Sequence, residues 1–477
     1  MKKTGLFKII MFILLGIVVL TWLFSASYFN EGNLAELGMY NVGFFDYFSL
    51  IFGAFQFEYF LQIFILLISI GALYGVLGKT GKYRAWIEKI ANNFKGAEFI
   101  FLLVIAFVIV ALTSIFDYGF ALLIFFPFII SIILAMGYDK VTALVATVGS
   151  MLVGTIGNIM GSSTSGVISG LVGVSATAGI YYKLGLLVFS FCALILYLSK
   201  AKRIKSTTRD EEDDMFIGEK ISNKYSIVSI IVVFSLVFLL LILGCTKWTE
   251  TFKVDSFSKL HETVTTWSPK LPYIHVTSEK VETGRQKVAL VSKVFGNVSA
   301  FGEWHFTEMA VICFVAAFVL GLLYRVKDIF SAMGEGAKKM LKPAFLVMMA
   351  YTVVYFAGNQ MFFPTIARYI LGISKHFSVL LSSFVMIIGS ALHVDILYAA
   401  NYVVPQISAT ASDNVLVALL TQGIYGVTMF IAPTSALLIF GLSYLEIPYK
   451  EWVKRTWKLT LMLFAIVMVI LLIMKFI

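Results

Sequence analysis

Asp117 and Asp395 each stand inside a long apolar run, and each is followed ten residues later by a proline, Pro127 and Pro405. A carboxylate in hydrocarbon costs about 2.5–3.5 kcal/mol on insertion scales and more in simulations, so a positive charge is expected beside it. A proton, a sodium ion, a substrate ammonium or guanidinium, or the neighbouring His393 would serve. The plainer alternative makes each Asp a cap that accepts backbone N–H bonds at a helix N-terminus. Their matched placement favours the functional reading.

Each Asp is followed along the chain by a second interruption. In the first half it is Gly161-Ser162-Ser163-Thr164-Ser165, preceded by Asn158; in the second it is Ala432-Pro433-Thr434-Ser435. Small hydroxyl residues with glycine or proline, where a helix should be continuous, predict local unwinding. That frees carbonyls for a cation and exposes half-helix N-termini suited to a carboxylate. The alternative is that Ser and Thr bond back to their own helix or mediate packing. The predicted substrate-binding set is Ser114, Asp117, Asn158, Ser162, Ser163, Thr164, Ser165, Ser390, His393, Asp395, Asn401, Pro433, Thr434 and Ser435, with sodium placed near Asn158, Ser163, Thr434 and Ser435. His393 lies two residues from Asp395, where it could titrate as a proton-coupling group or simply pack.

Something must hold these groups in a bilayer. The chain has 477 residues, 60% hydrophobic and 13% charged, against about 25% charged in soluble domains. A spanning helix takes roughly 20 apolar residues. Crossings are expected at 6–26, 56–78, 181–199, 225–244, 306–324, 343–358 and 457–476, the first as a retained signal anchor. The formal charge of +10 sits mostly at the edges of apolar runs, which is membrane topology and not a nucleic-acid footprint. Trp452, Trp457, Tyr181 and Tyr182 are expected in the interfacial belt. His305 and Glu308 open a crossing at its outer edge, where interfacial solvation is expected.

The interrupted stretches are expected to be re-entrant. A full crossing at 97–137 would leave Ser114, Asp117 and Tyr118 in hydrocarbon, so a helical hairpin with its tip at Asp117 is predicted. Its counterpart spans about 377–408, with its tip at Ser390 to Asp395. The broken helices span about 141–174 and 414–446. The fold class is thus an all-α polytopic membrane protein of two inverted repeats, residues 1–199 and 304–477. A basic loop at 200–224 is cytoplasmic by the positive-inside rule. Helix 225–245 links the halves, and 246–303, with a strand-like stretch at Lys287 to Val294, forms an extracytoplasmic insertion. The N-terminus is then cytoplasmic and the C-terminus extracytoplasmic.

The run Thr421-Gln422-Gly423-Ile424-Tyr425-Gly426, continuing through Phe430-Ile431-Ala432-Pro433-Thr434-Ser435 to Ile447-Pro448-Tyr449 and Trp452, resembles the last characteristic stretch of the YfcC-like family in the ion transporter superfamily. Gly71-Ala72, Gly75 and Lys79-Thr80-Gly81 resemble its first-half pattern. The resemblance implies a secondary carrier with an elevator-type scaffold and a moving transport domain, and a homodimer joined through the scaffold. It also implies basic amino-acid exchange in some members and dicarboxylate uptake in relatives.

The inverted, interrupted pattern points to a secondary active transporter, a symporter or exchanger of a small polar solute in the cell inner membrane. Two acids with half-helix N-termini suit an amino acid, including a basic one; a sodium-coupled dicarboxylate is the alternative, and an ion channel the alternative class. No Walker-type loop or HExxH motif is present, so neither an ATPase nor a zinc enzyme is indicated. No cofactor is expected beyond Na+ or H+ as coupling ion, and no partner beyond the solute, membrane lipid and a second copy.

Overall fold

The computed structural model describes residues 5–476 except 31–32, 40–41, 202–215, 218–224, 277–279, 288, 290, 292–293, 295, 297–298 and 375. Among the described residues nine helices are long and apolar enough to cross a membrane. The chain is a multi-pass membrane protein.

The first half runs α1 (Leu6–Leu23), an antiparallel hairpin of β1 (Ala26–Asn30) and β2 (Asn33–Gly38), α2 (Phe44–Phe55), α3 (Glu58–Lys79) and the amphipathic α4 (Tyr83–Asn93). Then come α5 (Glu98–Phe116), the single turn α6 (Gly119–Leu122), α7 (Phe126–Ala135), α8 (Lys140–Leu144), α9 (Ser150–Ile156), α10 (Val167–Val172) and α11 (Ile180–Leu198). Two π-helical segments, Val145–Gly149 and Ser162–Gly166, precede α9 and α10. Such segments mark strained or functional places in a helix. After α12 (Val228–Cys245), the stretch to 303 holds α13 (Trp248–Phe252), α14 (Ser256–Thr266) and an antiparallel pair, β3 (Lys270–Val276) with β4 (Val281–Lys287). The strand expected at Lys287 to Val294 is displaced upstream: Lys287 ends β4, and most of 288–298 lies outside the described residues.

The second half has α15 (Phe306–Leu323), α16 (Ile329–Gln360), α17 (Phe363–Leu371), α18 (Val379–Leu392), α19 (Ile396–Ser408), α20 (Asn414–Ile431), α21 (Ala436–Tyr444) and α22 (Tyr449–Phe476). The expected crossing at 343–358 is too short, because α16 continues for fourteen residues before Pro343. Proline in a helix interior loses one backbone bond. Ala332, Met333, Gly336 and Met340 are buried on the side toward α3, and that packing keeps the helix going past it.

Glycine makes this contact close. A Cβ on Gly336 would meet the carbonyl oxygen of Gly71 and lie 2.6 Å from Gly75 Cα. Both obstructions are backbone and cannot rotate away. Overpacking costs about 1–3 kcal/mol, and Gly336→Ala is expected at the upper end, read as a lower thermal midpoint of the detergent-purified protein. An unchanged midpoint would show that the helices slide apart freely.

Polar residues stand at the interruptions. Between α5 and α6 the chain turns at Asp117, and between α18 and α19 at 393–395. The long helices break at 157–161 and at 432–435. Asp139 and Asp413, which precede α8 and α20, are N-caps: Asp139 Oδ1 accepts from Thr142 N at 2.7 Å, and Asp413 Oδ1 from Val415 N at 2.9 Å. The prolines differ in use. Pro127 stands in the first turn of α7, where a missing N–H costs nothing, whereas Pro405 lies inside α19. α3, α15 and α16 pack together with α1 and α2 alongside, while α5, α9, α11, α20 and α22 pack around the breaks.

Candidate functional site

Asp117 ends α5 in the left-handed conformation, with φ 56°, a region Asp tolerates better than most residues. That turn aims its carboxylate at the first break. Oδ1 accepts from Asn158 Nδ2 at 2.5 Å, and Oδ2 from the backbone N–H of Thr164 at 2.9 Å. Asn158 Nδ2 also donates to Thr113 O at 3.1 Å, and its Oδ1 accepts from Gly161 N at 2.9 Å. Ser114 Oγ donates to Gly157 O at 2.7 Å. Asp117 therefore does the capping work of the plainer reading, at the start of the helical run that opens with Ser162.

Asp395 is the N-cap of α19, with Oδ1 accepting from Leu397 N at 2.9 Å. Its Oδ2 accepts from Tyr59 Oη at 2.9 Å and Tyr351 Oη at 3.4 Å. Tyr59 stands at the start of α3 and Tyr351 deep in α16, so the well-packed helix pair aims two phenols at the second tip. Tyr425 Oη on α20 donates to Val394 O at 2.9 Å, and Thr434 Oγ1 to Ala391 O at 2.9 Å.

One cavity of about 430 Å³ joins the two acids, a size suited to a small ligand. Of the predicted set, Asp117, Ser162, Ser163, Thr164, Asp395 and Ser435 line it. Phe116, Phe120, Phe306 and Met429 supply apolar wall. The N-terminal turn of α21 also faces it through Ser435, Ala436 and Leu437, and no side chain caps that turn. Uncapped N–H groups at a helix N-terminus form an anion site. Lys247, Glu250 and His305 line the side toward residues 246–303. His305 is thus part of the cavity wall and not merely an interfacial residue.

The other predicted residues are placed in the framework. Ser114, Asn158 and Ser165 hold the first break by hydrogen bonds. Pro433 sits in the second break, and Thr434 ties it to the end of α18. His393 is buried, stacked on Tyr402 with ring centroids 4.4 Å apart, and its Nδ1 lies 3.0 Å from Gly389 O. Ser390 is buried without lining the cavity, and Asn401 Nδ2 bonds back to Leu397 O at 2.8 Å. For the sodium expected near Asn158, Ser163, Thr434 and Ser435, the oxygens of Asn158 already accept from the chain's own donors, while Ser163 and Ser435 face the cavity. Among the described residues no three His, Cys, Asp or Glu side chains cluster as a metal site.

Trp452 corrects the aromatic-belt expectation. It is fully buried, its Nε1 donates to Phe430 O at 3.0 Å, and Tyr449 Oη donates to Ile431 O at 2.6 Å. The carbonyls opened by the second break draw both donors inward. Tyr59, Tyr351, Tyr425, Gln422 and Lys183 are not among the residues expected at the site. Gln422 reaches from α20 into the first break, where Nε2 donates to Ile156 O at 3.0 Å and Asn158 O at 2.8 Å, and Oε1 accepts from Ser165 Oγ at 2.9 Å. The available signal is a glutamine and a lysine in otherwise apolar turns.

The model of the DcuC family, described as C4-dicarboxylate anaerobic carrier, matches residues 4–476. An uncharacterised protein of Haemophilus influenzae is 21% identical over 412 residues, covering 82% of this chain and 71% of its own. The crystal structure of the YdaH transporter of Alcanivorax borkumensis aligns over 98% of both chains at 13% identity, with a TM-score of 0.43. The family whose model matches is DcuC. With all but the outermost residues covered by that match, the chain belongs to the DcuC family of membrane transporters.

Proposed function

We propose that the chain is a cation-coupled secondary carrier of C4-dicarboxylates. The observation that carries this reading is the uncapped N-terminal turn of α21 in the same cavity as two half-buried acids. A dianion is drawn to the turn, yet it is repelled by Asp117 and Asp395 unless a cation enters with it. Coupling then follows from charge balance. The family description supports a dicarboxylate over the amino acid that the acids alone suggested.

Alternating access is assigned to the hairpins and broken helices moving against the α3, α15 and α16 group, which would also carry a homodimer contact. The N-terminus is assigned to the cytoplasm and the C-terminus to the outside, so the cavity opens outward, past Lys247 and His305.

The test is uptake of labelled succinate into proteoliposomes, with inward sodium and proton gradients imposed separately. One of the two gradients is expected to raise initial uptake at least about tenfold, and fumarate and malate to compete where arginine does not. Uptake of labelled arginine without any succinate uptake would overturn the dicarboxylate reading in favour of the amino-acid one.

A further inference from the structure

Lys183, in the first turn of α11, is only 1% exposed. An ammonium has three donors and no acceptor, and all three find oxygen. Nζ donates to Ser165 Oγ at 2.9 Å, to Ala176 O at 2.5 Å and to Ile159 O at 3.4 Å. A hydroxyl and two carbonyls beside an unwound helix are the ligands a dissociable sodium would use there. At the same break, Ile156 O and Asn158 O are taken by Gln422, Gly157 O by Ser114 and Gly161 O by Gly166 N.

The second half treats its own break differently. At the start of α22, the helix that comes after that break as α11 comes after the first, the donors are Tyr449 and Trp452, both neutral. The two acids differ in the same way. Asp117 is joined to the ammonium through Asn158 and Ser165, and the two charges attract across the break. Asp395 is met, among the described residues, by two phenols and one backbone N–H. A half-buried charge at membrane depth with only neutral donors is left to be balanced from outside.

We propose that Lys183 is a resident cation that fills the first helix break in place of a dissociable ion, so that the coupling cation is taken up beside Asp395 alone. The inference rests on the carrier being cation-coupled, but not on what solute it carries. Its consequence is asymmetry between two similar breaks: one is charge-neutral throughout the cycle, and the other changes charge as the cation comes and goes.

The test uses sodium alone, without substrate, on the full-length protein purified in detergent. Thermal midpoints are compared in sodium chloride and choline chloride at equal ionic strength. In Asp395→Asn, where the proposed coupling site is gone, sodium is expected to leave the midpoint unchanged. Adding Lys183→Ala empties the cradle, and sodium is then expected to raise the midpoint by about 2 °C or more once it exceeds its dissociation constant about a hundredfold. Adding Asp117→Asn as well should abolish that rise. A sodium shift in Asp395→Asn alone overturns the proposal, and that arm needs no change at Lys183. So does the absence of a shift after Lys183→Ala. Should the Lys183→Ala proteins fail to fold, recovery of monodisperse protein on adding Asp117→Asn supports the charge pair, and equal failure of both overturns it. Because no solute is present, the succinate experiment can fail while this one succeeds.

Discussion

Replacing Asp395 with Asn is expected to cut cation-driven uptake of a labelled C4-dicarboxylate at least about 100-fold while leaving the protein folded. The substitution separates two jobs that the carboxylate does at once. As the N-cap of α19 it accepts from Leu397 N at 2.9 Å, and Asn caps a helix as well as Asp does. An amide oxygen can also keep one phenol bond, from Tyr59 or Tyr351. What Asn lacks is the charge that must be matched by an incoming cation. A 100-fold loss corresponds to about 2.7 kcal/mol, within reach of a single buried charge interaction. The measurement is initial uptake in proteoliposomes, with monodispersity and thermal midpoint as controls. Uptake within about threefold of the unaltered protein would remove Asp395 from the coupling site. Asp117→Asn makes the instructive contrast. Asp117 Oδ1 and Oδ2 both accept, from Asn158 and Thr164, and an amide can replace only one of them. The change also leaves the Lys183 ammonium without its balancing charge, so Asp117→Asn is expected to lose both uptake and stability.

The contrast between the two acids explains how far the sequence could be read. Asp117, Asp395 and the hydroxyl clusters stand out because polar groups in hydrocarbon must be satisfied, and a break in an apolar run is visible in one dimension. The structure breaks its helices at 157–161 and 432–435 for that reason. The surroundings of the breaks are not visible in the same way. Tyr59 and Tyr351 lie on α3 and α16, far in sequence from Asp395, and among apolar neighbours they read as packing. Gln422 occupies the first break from the second half of the chain, a contact 264 residues away from Asn158. Lys183 directly follows Tyr181 and Tyr182 and passes for a belt residue, yet it is buried where Tyr181 is exposed. Conversely, Ser390, His393 and Asn401 draw notice only as polar residues near a tip. Residue type marks where the helix must end, but the direction of a side chain at a tip depends on the partner it meets. His393 meets Tyr402, and Asn401 meets a carbonyl of its own helix.

Gly161 shows the same dependence at a single atom, and it yields the second large effect. Its backbone, at φ −60° and ψ 131°, suits any residue, so conformational freedom is not the reason for glycine there. Space is. A Cβ on Gly161 would overlap the Asp117 carboxylate and lie 2.6 Å from Asn158 Nδ2. Gly161→Ala must therefore push Asp117 off both donors or reopen the break. Overpacking of this kind costs about 1–3 kcal/mol, and displacement of the carboxylate is expected to reduce succinate uptake at least about 100-fold. The two effects separate in a double-mutant cycle. In an Asp117→Ala background the obstructing carboxylate is absent and only the Asn158 amide, still held by Thr113 and Gly161, must shift, so Gly161→Ala should cost less than in the unaltered protein, while uptake stays at background. Equal destabilisation in both backgrounds would show that Gly161 serves the backbone and not Asp117. Retained uptake in Gly161→Ala would show that transport tolerates a displaced Asp117, and the acid would then be a cap and nothing more.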